Sequence, residues 1–315
     1  METRAWGYWA HSATILHYVP MGVNDLARTI DDQPSSYYHG LQGTFRAMPH
    51  REAASQTKGA KTMTAHNETL ATIDGLSTTH GTFSDLPVAD ADLNTILQAS
   101  LRAANASARQ SYSIVVVGDR ERQKALTGYC AGVTLVYCID YNRHMAQAEH
   151  LGLGFDGGGF TLFVTGATDA ALVAQTAAIA ARSLGLDYMF TNGLHRGDVE
   201  RVYKLLDLPR SACFPLIALL LGRAENPATH QKGRLTGTGV IHWDRYHLPE
   251  GVELDQLVAQ YDNADLNLAV NSAWHQQGFE HYLQWLYEVR SPRRKPGEGK
   301  RQLQAIAERS GFFDV

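Results

Sequence analysis

Apolar residues in this chain follow two kinds of pattern, one typical of strands and the other of helices. Three short continuous runs, rich in β-branched and aliphatic residues, predict buried strands at residues 112–117, 134–139 and 216–221. Apolar positions with helical spacing predict helices at residues 67–76, 89–106, 168–184, 252–261, 281–289 and 301–310. Because strands and helices are mixed and helices dominate, the pattern predicts an α+β fold.

The segment 168–184 has the strongest helix signal. Thr168 or Asp169 is suited to cap its first turn, and Gly185 is suited to follow its last turn. One stripe of this helix carries small side chains: Ala170, Val173, Ala174, Ala177, Ala178 and Ala181. Small side chains let backbones approach closely, so we expect the helix to be buried centrally or to pack on a copy of itself.

Residues 1–62 differ in texture from the rest of the chain. They hold many Ser, Gln, His, Gly and aromatic residues without a sustained period, and residues 51–62 resemble a polar linker. We therefore divide the chain into an N-terminal extension, residues 1–62, and one domain, residues 63–315. The extension is either a poorly ordered segment, the interpretation we favour, or a functional cap or partner-binding arm.

Composition narrows the functional classes. A net charge of −4 gives no electrostatic reason to expect nucleic acid as a partner. Cys130, Cys138 and Cys213 have no CxxC spacing, so neither a disulfide framework nor a zinc site is expected, and a reducing cytoplasm fits better. No run of eighteen apolar residues occurs, and residues 1–23 lack the pattern of a secretory signal, so no membrane association is expected.

Two motifs suggest ligand binding at different strengths. Gly152-x-Gly154-x-x-Gly157 matches the dinucleotide fingerprint as a string, but a polar run at 143–150 precedes it where a strand is required. A flexible loop is the better interpretation, and a Rossmann dehydrogenase is disfavoured.

Lys232 and Arg234 place two cations one residue apart, which suits a phosphate, although such a pair is more often a solvated surface feature.

The surroundings of these cations carry a family resemblance. Segments 83–88, 136–144, 186–194, 204–209, 220–227 and 232–235 resemble, in order, those of the NADPH-type nitroreductases and flavin reductases, and the match spans most of residues 67–262. The helix at 168–185 resembles that family's central dimer helix. The resemblance implies a central antiparallel or mixed sheet flanked by helices, and a homodimer with FMN at its interface. NADPH or NADH would reduce FMN, which then reduces a nitroarene, quinone, enone or free flavin.

The resemblance also assigns site residues. Lys232 and Arg234 match the phosphate-binding pair, and Asn105, Ser107 and Gln110 match polar side chains that follow the first long helix. Thr191, Asn192, Gly193 and Leu194 match a turn whose backbone N–H groups address the flavin ring, with Asn192 replacing a glycine, a change tolerated if the backbone there is left-handed. Because the flavin carries the chemistry, no catalytic side chain is expected.

One cofactor-binding motif is altered. Thr78, Thr79, His80 and Gly81 stand where the family has Arg-Ser-x-Arg, so Thr78 replaces a phosphate-binding arginine and Gly81 replaces a cation beside the flavin ring. His80 compensates only if its side chain faces the site, which the sequence does not decide. The alternative function is therefore a degenerate paralogue that binds FMN weakly or not at all and acts as a binding or structural protein.

Overall fold

A four-stranded antiparallel sheet forms the centre of the described part of the chain, residues 67–227, 231–291 and 298–313 of a computed structural model. Its strands are β1 (Tyr112–Val117), β2 (Val133–Asp140), β3 (Asp187–Thr191) and β4 (Cys213–Gly222), in the spatial order β1-β2-β4-β3. The predicted extension at residues 1–62 and its boundary at residue 63 lie outside the described residues.

The two inner strands match the sequence pattern, the outer strand β1 matches it in its bounds but not in its burial, and the outer strand β3 was not predicted. β2 and β4 are buried along almost their whole length, as continuous apolar runs predict. β1 has the predicted bounds, but it is an edge strand, and Val116 is 44% exposed, so the expectation of full burial was wrong. The sequence did not predict β3, because residues 186–194 were interpreted as a turn.

Nine α-helices lie within the described ranges. They are α1 (Glu68–Asp74), α2 (Asp90–Ser100), α3 (Arg120–Thr127), α4 (Asn142–His150), α5 (Phe160–Ser183), α6 (Glu200–Leu206), α7 (Val252–Asp262), α8 (Tyr282–Trp285) and α9 (Glu298–Arg309). α2 and α5 cover one face of the sheet, and α3 and α6 cover the other. The predicted α+β class, with a central sheet flanked by helices, is confirmed.

The central helix α5 is longer than predicted. It begins at Phe160 rather than at residue 168, so Asp169 lies inside the helix and does not cap it. The expected end is confirmed, because Gly185 has φ 73° and Leu186 donates a hydrogen bond back to the carbonyl of Ala181 at 3.0 Å.

The small residues of α5 pack on the sheet as expected. All six side chains of the predicted stripe are buried, in one core cluster with residues of β2, β3 and β4. Length and composition would also let α5 span a membrane, with a mean hydropathy of 1.4, and no other helix of the described part does so. This is weak evidence for a span, since the core helix of a soluble protein passes the same test.

Candidate functional site

A cavity of about 340 Å³ brings the predicted phosphate-binding cations together with the altered motif. It lies between the segment that follows α1, the segment 231–234 and residues 268–270. Its lining residues are Leu76, Ser77, Thr78, His80, Asn226, Gln231, Lys232, Gly233, Arg234, Leu268 and Val270. Three of these residues are basic and none of the described lining residues is acidic, so the cavity is suited to an anion.

Pairing with the sheet fixes which way residues 78–80 face. Thr78 forms a parallel bridge with Tyr188 of β3, and the Thr79 N–H donates to the Tyr188 carbonyl at 2.8 Å. Successive side chains of an extended segment point to opposite sides. Thr78 and His80 accordingly line the cavity, whereas Thr79 is buried at 5% exposure and does not line it.

Tyr188 of β3 feels two groups that line the cavity. Burial raises the pKa of the Tyr188 hydroxyl above its ordinary value of 10.0, while the Thr78 side chain and the charge of Arg234 act against that rise. Thr78 itself lines the cavity together with Lys232 and Arg234, and it offers a hydroxyl where the motif that it resembles has a guanidinium.

The basic segment is held from behind by residues 264–270. Lys232 Nζ donates to Asn267 Oδ1 at 2.9 Å and to the Ala269 carbonyl at 2.6 Å. An ammonium has three donors, so one remains for a ligand. A Cβ on Gly233 would lie 1.9 Å from the Leu266 carbonyl oxygen, so only glycine permits this close packing.

Gln231 joins two walls of the cavity. Its Nε2 donates to the carbonyls of Asp74, the last residue of α1, and Leu76, at 2.6 and 2.7 Å. In the described part of the chain, Arg234 hydrogen-bonds through Nη1 to the carbonyls of Lys232 and Gly233. Its remaining guanidinium donors give it the fork geometry that suits a phosphate.

Gly81, which stands where the motif has its second arginine, is exposed and does not line the cavity. A Cβ at this position would meet nothing within 4 Å. The space for a larger side chain therefore exists, but this chain places no charge there.

The predicted residues Asn105, Ser107 and Gln110 lie elsewhere in the chain, on the loop after α2, and do not line this cavity. Asn105 Oδ1 accepts a hydrogen bond from the Gln110 N–H at 3.1 Å, and both Ser107 and Gln110 have φ 54°. Asp169 of α5, which is 1% exposed, accepts the N–H groups of Ala106 at 2.9 Å and Ser111 at 3.1 Å. The sequence did not predict this anchor, because Asp169 stands where a helix cap was expected.

The predicted turn Thr191, Asn192, Gly193 and Leu194 follows β3 and also does not line the cavity. Asn192 has φ −91°, so the left-handed backbone considered for it is not required. The Gly193 N–H donates to Thr191 Oγ1 at 3.0 Å, and Leu194 is fully buried.

Arg201 of α6 fixes this turn through hydrogen bonds to backbone carbonyls. The sequence did not predict this role. Its guanidinium donates to the carbonyl of Gly193 at 2.9 Å and to four others, those of Ala125, Leu126, Arg196 and Asp198. Gly193 also packs so tightly that a Cβ there would lie 2.3 Å from the Thr127 carbonyl. The turn is therefore a rigid part of the fold.

No group of three or more His, Cys, Asp or Glu side chains suited to a metal occurs among the described residues. Cys130, Cys138 and Cys213 are free thiols. The Gly152 motif follows helix α4 and not a strand, which agrees with its interpretation as a loop.

Comparison with known proteins identifies relatives over most of the described chain. The model of the nitroreductase family matches residues 78–223. An NADPH-dependent oxidoreductase of Staphylococcus aureus is 30% identical over 211 residues, which cover 62% of this chain and 83% of that protein. NfrA2 of B. megaterium is 28% identical, with a TM-score of 0.65 over 78% of this chain and 98% of that one. The NADPH:FMN oxidoreductase of Vibrio harveyi, solved with NAD+, is 25% identical, with a TM-score of 0.62 over 78% and 99% of the two chains.

Proposed function

The chain belongs to the nitroreductase family, and from that premise we propose that it is an NAD(P)H-dependent oxidoreductase that works through bound FMN. The observation that carries the proposal is the basic cavity shared by Thr78, Lys232 and Arg234. Relatives named NADPH-dependent oxidoreductase and NADPH:FMN oxidoreductase support the same electron donor and flavin. NADPH or NADH is the donor, and a nitroarene, quinone, enone or free flavin is the acceptor.

The donor set of the cavity fits the phosphate of FMN. A point charge on Lys232 and a fork on Arg234 complement a phosphate dianion, and Thr78 adds a hydroxyl. The volume of about 340 Å³ lies within the range of small-molecule sites, which is roughly 300–1,000 Å³. Lys232 is already oriented by Asn267 and Ala269, so it loses little freedom when a phosphate arrives.

The side chains of this protein bind and orient in the proposed reaction. Bound FMN supplies hydride acceptance and donation, which is cofactor chemistry. Lys232 and Arg234 would hold its phosphate, and Thr78 would offer that phosphate a hydroxyl. Gly81 supplies no positive charge where the motif that it resembles has its second arginine, so this chain would stabilise negative charge on the cofactor less.

We propose that the protein is a homodimer and that its second copy completes the site. The outward face of α5 carries Phe160, Val164 and Leu172, which are 61%, 48% and 43% exposed, beside an apolar groove. Covering that face with the same face of a second copy would bury these side chains. Because Asn105, Ser107 and Gln110 do not line the cavity of their own chain, we propose that they contribute to the cavity of the partner. A cytoplasmic location remains part of this proposal.

The alternative is a family member that has lost flavin binding. The absence of both arginines from residues 78–81 and the engagement of the Gly193 N–H by Thr191 favour it. Each lost charge-assisted hydrogen bond weakens binding by about 1.5–3 kcal/mol. Two such losses correspond to a factor on the order of 10² to 10⁴ in affinity.

Spectroscopy of the purified full-length protein separates the two functions. We expect flavin absorbance, either as purified or after titration with FMN into the high micromolar range, and bleaching by NADPH or NADH without oxygen. Riboflavin, which lacks the phosphate, should bind much more weakly if Lys232 and Arg234 hold that phosphate. A colourless protein that takes up no FMN in this range would establish the alternative.

A further inference from the structure

We propose that His80 supplies the third positive charge of the phosphate site, so that FMN is held more tightly at a pH at which this histidine is protonated. The proposal rests on the proposed function, because it names a residue of the same cavity. Thr78 and Gly81 stand at the arginine positions of the motif, so His80 is the one side chain of residues 78–81 that can carry a positive charge. An imidazole carries that charge only when it is protonated, whereas a guanidinium is always charged.

The pairing of Thr79 with β3 sets the orientation of the His80 side chain. Thr79 is fixed by its hydrogen bond to the Tyr188 carbonyl and is buried, so its neighbours on either side face the other way. His80 therefore lines the same cavity as Thr78, Lys232 and Arg234. The His80 residue is also exposed, so a ligand can reach it from solvent.

The charged groups that line the cavity with His80 are cations. From the segment 231–234, the ionisable groups that face the cavity are Lys232 and Arg234. Apart from His80, the lining residues of the other segments carry no ionisable group. They are Leu76, Ser77 and Thr78 after α1, Leu268 and Val270 of the segment 268–270, and Asn226 after β4. Glu225 precedes Asn226 in the sequence, and its carboxylate accepts a hydrogen bond from the Thr82 hydroxyl at 2.5 Å.

These charges leave the phosphate of a ligand as the partner that the imidazole lacks in the free protein. A bound phosphate dianion favours the protonated imidazole, and no acidic lining residue in the described part of the cavity competes with it. Binding of FMN is thus coupled to uptake of a proton by His80, which ends as a charge-assisted donor to a phosphate oxygen.

The test measures FMN affinity against pH. Quenching of flavin fluorescence gives the dissociation constant between pH 5.5 and 8.5 for the full chain and for the variants His80→Gln, His80→Arg and His150→Gln. His150 is an exposed histidine at the end of α4 and serves as the matched control. His80→Arg keeps a constant charge, so it corrects for the titration of the FMN phosphate itself, whose second pKa is about 6.

We expect the ratio of wild-type to His80→Arg affinity to fall about tenfold as the pH rises from 6 to 8.5, the change produced by losing one charge-assisted hydrogen bond. The His150→Gln protein should follow the wild type, and His80→Gln should show no such fall. Calorimetry in two buffers of different ionisation enthalpy should detect proton uptake at pH 7.5 by the wild type in excess of that by His80→Arg.

The other outcomes separate the two proposals. Equal pH profiles for the wild type and His80→Gln would overturn the role of His80 and leave the flavin enzyme intact. The same pH dependence with riboflavin as with FMN would also overturn it, because the effect would then not involve the phosphate. Failure of every variant, including His80→Arg, to bind FMN at any pH would overturn the proposed function itself.

Discussion

Lys232 and Arg234 share one wall of the cavity because the residue between them has no side chain. Gly233 passes so close to the Leu266 carbonyl that the chain can run between the cavity and residues 264–270. The ammonium of Lys232 then reaches Asn267 behind it while keeping a donor for the cavity. At this scale the spacing Lys-Gly-Arg is a packing requirement as well as a charge pattern.

The double substitution Lys232→Ala with Arg234→Ala should abolish flavin retention. Two charge-assisted contacts to phosphate would be lost, each contributing about 1.5–3 kcal/mol. Equilibrium dialysis against FMN measures the loss. Arg122→Ala with Lys124→Ala removes the same charges, at the same spacing, from exposed positions of α3 and should leave binding unchanged. Retention by the first variant would show that the phosphate lies elsewhere.

Asp169→Ala should lower the free energy of unfolding by about 3 kcal/mol, because the carboxylate accepts two backbone N–H groups and hydrogen bonds to charged groups contribute about 1.5–3 kcal/mol each. Its loop holds Ser107, Ala108 and Gln110 at positive φ, a conformation that persists only when neighbours enforce it. Urea denaturation measures the change. Asp255→Ala, at an exposed position of α7, is the control. A loss below about 1 kcal/mol would contradict this anchoring role, since an exposed substitution has that size of effect.

At the scale of elements, α5 lies so close to the sheet that one of its positions must be glycine. A Cβ on Gly166 would lie 2.4 Å from Cγ2 of Ile139 in β2, and 3.1 Å from the Ser111 carbonyl. The alanines of the stripe let the rest of the helix follow the same close path. The helix therefore positions both the core and the loop that Asp169 holds.

Gly166→Ala tests this close contact, because two effects oppose each other. Helix propensity alone favours alanine over glycine by about 1 kcal/mol. Overpacking of a buried site costs about 1–3 kcal/mol or more, so we expect net destabilisation and a lower midpoint in urea. Gly81→Ala, where a Cβ meets nothing, should leave the midpoint nearly unchanged. A stabilised Gly166→Ala protein would contradict the packing described for α5.

The contact between α6 and α9 depends on charge and therefore on pH. Burial alone would raise the pKa of Glu200, but hydrogen bonds and charges from Arg309 and Arg210 lower it below its ordinary value of 4.5. A carboxylate with a lowered pKa stabilises the fold above its unfolded pKa, and this contribution is lost as the pH falls through the folded pKa. The pairs are partly exposed, so their contribution is small.

Glu200→Gln should reduce the free energy of unfolding by about 0.5–1 kcal/mol at pH 7. The difference from the wild type should shrink towards zero as the pH falls through the pKa of the folded protein, which lies below 4.5, because the wild-type carboxyl is then protonated as well. Urea denaturation at pH 7 and at acidic pH measures it. Glu149→Gln on α4, which is exposed, should show no difference at either pH. An undiminished difference at low pH would mean that Glu200 acts through packing and not through charge.

For the whole molecule, the proposed homodimer depends on the outward face of α5. Val164→Asp with Leu172→Asp places two charges on that face and should convert a dimer into a monomer of 34.7 kDa, as measured by light scattering after gel filtration. Leu151→Asp with Leu153→Asp changes two residues that are 69% and 63% exposed in the loop after α4 and should leave the dimer intact. If the second copy completes the site, the monomer should also lose FMN. A monomeric wild type would refute the assembly.

The local sequence determined those elements whose burial can be read from their own pattern of apolar and small residues. The inner strands β2 and β4 are continuous apolar runs, and the small-residue stripe of α5 marks a buried face, because hydrophobic burial acts on each residue wherever it finally packs. The resemblance that names Lys232 and Arg234 is likewise carried by a contiguous string.

Tertiary structure decided what depends on partners far away in sequence. β3 is a strand because β4 and Thr78 pair with it, not because of its own five residues. That pairing also turns His80 toward the basic cavity and buries Thr79, since alternate side chains of an extended segment face opposite sides. Asp169 likewise anchors a loop more than fifty positions away in sequence. Such contacts are set by the packing of whole elements, and no local pattern encodes them.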